Sequence, residues 1–187
     1  MKKTYRINIE GIERDLRLYP IAPDKQIAAF ILFSDVEMVQ ACAKGLLEKA
    51  PDFDVILTPE AKSISLAYEM SRLSGKQHVI ARKGLKVYIE NPISSTLSSI
   101  TTTHNQAIYL GDVEVEMLKG KRVLVIDDVI STGASLEGIE NLLSQIDCTI
   151  AGEGAVLAEA DAAKRDDIFF LQTLPLFDGE GNPLPLD

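Results

Sequence analysis

The sequence predicts an α/β fold built around a parallel sheet, in one domain spanning residues 1–187, and three observations carry that prediction. Short apolar runs alternate along the chain with stretches whose apolar residues recur at helical spacing. The most apolar run, from Arg122 to Asp127, leads through two acids and a Ser/Thr/Gly turn into a helical pattern. Nothing in the chain reads as a repeat, a low-complexity tract or a long Pro/Gly linker that would divide it. Strands alternating with helices favour parallel pairing through right-handed crossovers.

Tyr5, Ile7 and Ile9 alternate, as do Leu16 and Leu18, with Gly11 between them, which predicts an antiparallel hairpin. Ile27 to Phe33 is expected as a buried strand. Ser34 and Glu37 have the spacing of a capping box and predict a helix with Val36, Val39, Ala43, Leu46 and Leu47 on one face. Phe53 to Thr58 reads as a buried strand. The helix after it carries Ile64, Leu66, Ala67, Met70 and Leu73 and stops at Gly75. His78 to Ala81 is a short strand and Arg122 to Asp127 a strongly apolar one. Ser135 to Ile146 is a helix with Leu136, Ile139, Leu142 and Leu143 inward. Two further strands are expected near Thr149–Ala158 and Ile168–Thr173.

Between Arg82 and Gly120 the alternation fails. That span is rich in Ser and Thr (Ser94, Ser95, Thr96, Ser98, Ser99, Thr101, Thr102, Thr103), with weak alternation at Val87, Ile89, Leu97 and Ile100. It predicts an extended, partly mobile excursion of the kind that serves as a lid or binding loop. Gly120-Lys121 lacks the earlier glycine of a P-loop and is expected to be a turn.

Composition narrows the function. With 19 basic and 28 acidic side chains, the net charge of −9 disfavours non-specific attraction to nucleic acid or anionic lipid. The start MKKTYRINIE has no apolar core behind its basic residues, so no signal peptide is expected, and the run Ile27–Phe33 is too short to cross a bilayer. Cys42 and Cys148 lack metal or redox spacing and read as small core residues of a reducing compartment. His78 and His104 have no ligand spacing around them. The cytoplasm is the expected location.

The chemistry concentrates in Arg122 to Ser135. Ligands of open α/β sheets bind beyond the carboxyl ends of strands, where this segment arrives. Ser131, Thr132, Gly133, Ala134 and Ser135 offer hydroxyls and successive backbone N–H groups, and the helix after them points its positive end at the same place. That is a phosphate cradle. Adjacent carboxylates repel phosphate but accept hydrogen bonds from a diol, which suits Asp127 and Asp128 to ribose. Either fragment alone would pass for a turn and a helix cap; the whole string is far rarer.

Val123 to Ser135 resembles the phosphoribosyl pyrophosphate signature of type I phosphoribosyltransferases. The resemblance implies that Asp127 and Asp128 take the ribose hydroxyls while Ser131 to Ser135 grip the 5-phosphate. Asp54 to Lys62 (DVILTPEAK) resembles the pyrophosphate loop of adenine phosphoribosyltransferases, and Ala81-Arg82-Lys83 resembles that family's next strand end. Glu60, Ala61, Lys62, Arg82 and Lys83 are thereby expected around pyrophosphate, whose leaving charge the cations would neutralise. The lid motif of that family, Tyr-x-Leu-Glu-Tyr-Gly, is reduced here to Tyr109-Leu110-Gly111 without its Glu; Glu90 and His104 are the other polar groups of the region.

The resemblance implies a type I phosphoribosyltransferase fold with a small hood (about 1–30 and 174–187) and a long flexible lid (about 84–120). It implies transfer of ribose 5-phosphate to a purine, adenine first, with Mg²⁺ held mainly by substrate oxygens and a homodimer as the assembly. Xanthine or hypoxanthine/guanine use, or a regulator that senses phosphoribosyl pyrophosphate without turnover, are the alternatives. The acidic charge weighs against DNA binding.

Overall fold

The structure, a computed structural model, describes residues 2–97 and 106–186. Its centre is a five-stranded, all-parallel sheet in the order β10-β9-β8-β4-β5. The strands are β4 (Val55–Pro59), β5 (Gln77–Ala81), β8 (Arg122–Ile130), β9 (Thr149–Glu159) and β10 (Phe169–Leu174). Side chains alternate across it. Ile56, Leu124 and Ile126 face helices α1 (Val36–Lys49) and α2 (Ile64–Ser74), while Val55, Leu57, Val123 and Val125 join the core under α4 (Ala134–Leu143). Burial on both faces explains why these strands read as unbroken apolar runs.

A second sheet, β1-β2-β3-β11, is antiparallel: β1 (Thr4–Ile9), β2 (Ile12–Ala22), β3 (Lys25–Ala28) and β11 (Phe177–Asp178). It joins the predicted hairpin to the carboxyl-terminal segment through Phe177, fully buried against Tyr5 with ring centroids 5.0 Å apart. Ile7, Ile9 and Leu16 tie it to the α1 side of the core.

Four expectations need correction. The strand at Ile27–Phe33 ends at Ala28; beyond it Phe30 and Leu32 are buried while Ile31 and Phe33 are exposed, so the run is apolar without being a buried strand. Helix α1 is capped by Asp35, whose carboxylate accepts from Met38 N–H at 3.2 Å; Ser34 has a φ of 64° and Val36 is exposed. Leu73 of α2 also faces solvent. Within 84–120, β6 (Ile93–Leu97) pairs with β7 (Gln106–Leu110), and α3 (Asp112–Leu118) follows. Ile108, Leu110 and Leu118 are core residues, and Gln145 Nε2 donates to the Ser94 carbonyl at 3.1 Å, so much of the expected excursion is anchored. Ser98, Ser99, Ile100, Thr101, Thr102, Thr103 and His104 lie outside the described residues. The fourth correction concerns β8 and the site.

Candidate active site at the switch point of the sheet

From β4 the chain moves to β5 on one side, then returns to β8 on the other and continues to β9 and β10. The order therefore reverses between β4 and β8, and in open α/β sheets that is where ligands bind. The segments after β4 and β8 carry the predicted site residues, and the structure joins them there. Lys62 pairs with the Asp128 carboxylate. The Ser63 hydroxyl lies 3.1 Å from Asp127 Oδ1, and Thr58, fully buried one strand away, donates to the Ile126 carbonyl at 2.8 Å. Glu60 accepts from the Lys83 N–H at 2.8 Å, tying the loop after β4 to the end of β5.

The acids do not lie past a strand end as expected. β8 runs on to Ile130, so Asp127 and Asp128 are neighbours inside a strand and their side chains leave on opposite faces. Asp128 is 3% exposed and held by Lys62; Asp127 is half-buried and accepts the Asp128 N–H at 2.8 Å. Burial, with the Asp128 charge second, pushes the Asp127 carboxyl well above the ordinary carboxylate range. At the end of β9, Glu159 is also raised by burial, against the pull of Lys62.

Two helices open on this point, and both lack a side-chain cap. At α2 the cap position is Ser63, whose hydroxyl is turned toward Asp127 instead. At α4 it is Gly133, with φ 81°, a conformation glycine adopts without strain. By contrast Asp35 caps α1, and Glu114 accepts from Gly111 N–H at the start of α3. Ile64 N–H donates to the Ala61 carbonyl at 3.3 Å, and Ala134 N–H donates to Thr132 Oγ1 at 3.4 Å. Apart from these, the first-turn amides of α2 and α4 lack the side-chain cap that α1 and α3 have, and helix starts of this kind suit an anion. Asp127 and Ser131 to Ser135 line a cavity of about 40 Å³ at the start of α4. A second cavity of about 250 Å³, beside the end of β9, is lined by Ala160, Asp161, Leu176, Leu184, Pro185 and Leu186.

Of the expected pyrophosphate cations, Lys62 reaches this cluster with its ammonium group, while Lys83 joins it only through its backbone N–H and is exposed. Arg82 instead places its guanidinium 5.7 Å from the Tyr88 ring centroid, with its buried Nε unpartnered among the described residues. Ser63 and Glu159 escaped the sequence reading. Ser63 passes for a helix cap and Glu159 for a surface acid until the strands are paired.

These features define an open α/β protein whose candidate site lies at the crossover between β4 and β8, under the starts of two helices. The chain belongs to the phosphoribosyl transferase domain family, which matches residues 36–187, and is a phosphoribosyltransferase by family. It is 35% identical over 175 residues to HGPRTase-like protein 1 of Halalkalicoccus jeotgali, covering 90% of this chain and 91% of that protein. Over 126 residues it is 32% identical to the purine biosynthesis transcriptional repressor PurR of Bacillus subtilis; that match covers 66% of this chain and spans 43% of the repressor. The adenine phosphoribosyltransferase of Thermoanaerobacter pseudethanolicus has the same fold, with a TM-score of 0.64 at 20% identity over 91% of this chain and 95% of that one.

Proposed function

We propose that the chain transfers ribose 5-phosphate from phosphoribosyl pyrophosphate to a purine, adenine first, and releases pyrophosphate. The observation that carries this is the bridging of the switch point, where Lys62 meets Asp128 and Ser63 meets Asp127 beside two uncapped helix starts. In this reading Ser131 to Ser135 hold the 5-phosphate and Asp127 and Asp128 the ribose hydroxyls. Glu60, Ala61, Lys62, Arg82 and Lys83 surround pyrophosphate. The apolar cavity at Leu176 and Leu184 takes the base. A ring nitrogen of the base forms its bond to the anomeric carbon as the bond to pyrophosphate breaks, and the N–H proton of the base passes to the departing pyrophosphate. The acids favour positive charge on the ribose ring in that transition state.

A Mg²⁺ ion carried mainly by the pyrophosphate oxygens would supply positive charge to offset the charge of the leaving group. The carboxyl groups of Asp127 and Glu159 both feel the charge of Lys62, and their oxygens are hard donors of the kind that would hold such an ion. The antiparallel sheet acts as the hood, and the exposed stretch with Leu85, Val87 and Tyr88 ahead of β6 contributes to the lid. A homodimer fits the exposed Val36 and Tyr68, which line one groove between α1 and α2. No described helix is long and apolar enough to cross a membrane, and the two free cysteines fit the cytoplasm.

The test is pyrophosphate release from phosphoribosyl pyrophosphate against a panel of purines and pyrimidines, with and without Mg²⁺. Adenine is expected to be the best substrate, and a preference for orotate overturns the purine assignment. Tight binding without turnover on any base would establish the second reading, a regulator, which the likeness to the PurR repressor favours.

A further inference from the structure

Arg165 follows the 3-10 turn Ala160–Lys164 beyond β9, in a charged stretch that reads as ordinary surface. The fold brings its guanidinium onto the phosphate loop. A Cβ added to Gly133 would lie 2.7 Å from Arg165 Nη1, so the loop's glycine is also what lets the cation approach. Asp167 chelates the other two nitrogens, Nε to Oδ1 at 2.9 Å and Nη2 to Oδ2 at 2.7 Å. That clamp aims Nη1 at Gly133, and among the described residues Nη1 has no acceptor.

A cation at the start of a helix is electrostatically misplaced, because the helix end there is itself positive. Three carboxylates gather around Arg165 and offset this. Asp167 is one; the others are Glu153 on β9 and Glu140 on α4, whose charges both act on Arg165. Glu153 is 7% exposed, and among the described residues its Oε1 has no hydrogen-bond partner. Holding a guanidinium against a positive helix end with one buried and two more exposed carboxylates makes physical sense when a doubly charged anion comes to rest between the two.

We propose that Arg165 is a further ligand of the 5-phosphate, donating from Nη1, with Asp167 as its positioning residue. This rests on reading Ser131 to Ser135 as the 5-phosphate cradle, and the experiment separates the two. Calorimetric titration with ribose 5-phosphate, ribose and inorganic pyrophosphate would be run on the unmodified protein, Arg165→Gln, Arg165→Lys and the double variant Thr132→Val/Ser135→Ala. Arg165→Gln should bind ribose 5-phosphate about tenfold more weakly or worse, as expected for a lost charge-assisted bond, and should lessen the dependence of that binding on salt. Its pyrophosphate affinity should stay within about twofold of the parent, a loss confined to one phosphate site that a general loosening of the loop would not produce. Arg165→Lys keeps the charge but loses the two-point hold of Asp167, so its affinity should fall between those of the parent and the Gln variant; it also covers the case in which the Gln variant is poorly folded.

Parental affinity for ribose 5-phosphate in Arg165→Gln, with a loss in the Thr132/Ser135 double variant, would overturn the role of Arg165 and leave the cradle intact. A Lys variant as weak as the Gln variant would overturn it too. If the unmodified protein bound ribose and ribose 5-phosphate alike, the cradle itself would fall, and the inference with it.

Discussion

Asp128 is a carboxylate buried within a strand, beside a second carboxylate, with Lys62 as its counter-charge. Such an arrangement costs stability and is retained where a ligand uses it. Asp128→Asn should lower kcat/KM at least tenfold, about 1.4 kcal/mol of transition-state stabilisation. The melting temperature should change little, because loss of the like-charge contact with Asp127 offsets loss of the ion pair with half-exposed Lys62. Since the Asp128 charge helps to raise Asp127, the same variant should move the Asp127 limb of the pH–rate profile to lower pH. A large fall in melting temperature, with normal activity in the folded fraction, would make Asp128 a structural residue. Gly133→Ala combines a φ of 81° with the 2.7 Å approach of Arg165 and should cost about 1–2 kcal/mol locally, read as lost ribose 5-phosphate binding with the far-ultraviolet spectrum unchanged. Asp127, Asp128 and Ser131 to Ser135 were legible in the sequence because they form one contiguous string. Ser63 and Arg165 were not: each owes its place to a partner on a different segment, Asp127 in β8 and Gly133 before α4, and a lone Ser or Arg carries no pattern.

At the scale of elements, the contact of β9 with α4 contains the most consequential buried acid. Burial first, then Glu140, pushes Glu153 up to about 7 from an ordinary 4.5. Its proton is held more tightly in the folded chain than in the unfolded one. The folded state therefore binds more protons between those two values, and stability falls as pH rises from about 4.5 to about 7, levelling off above. Fully expressed, a rise of this size costs up to about 3 kcal/mol, and relaxation around the pair reduces it. Glu153→Gln should raise the melting temperature by about 4 °C at pH 8 and leave it nearly unchanged at pH 4.5, on the scale of 2–4 °C per kcal/mol for chains of this length. Equal shifts at both pH values would assign the effect to packing. The central strands were legible because two-sided burial writes itself as an apolar run, as in Val123 to Ile126. Boundaries set by tertiary contact were not. β8 runs through its acids because Val129 and Ile130 still pair with β9, and α3 and β7 hide in a Ser/Thr-rich span because few of their residues are buried.

At the scale of the whole molecule, a chain of net charge −9 must capture a phosphorylated substrate by local geometry against its own field. The uncapped start of α4 and the hydroxyls of Ser131 to Ser135 supply that geometry, and they act on the 5-phosphate whatever base is attached. A purine nucleoside monophosphate should therefore raise the melting temperature far more than the matching nucleoside at equal concentration. A ligand at 100 times its dissociation constant adds about 2.7 kcal/mol, which is several degrees for a chain of this length. Replacing Thr132 with Val and Ser135 with Ala removes both hydroxyls at nearly constant side-chain size and should erase most of the difference. The comparison isolates the phosphate, because a base pocket alone would hold both ligands equally. Added salt should shrink the nucleotide shift and spare the nucleoside shift, since only the former rests on charge. Equal shifts from nucleoside and nucleotide in the unmodified protein would remove the cradle, and with it the reading of this site as one for phosphoribosyl pyrophosphate.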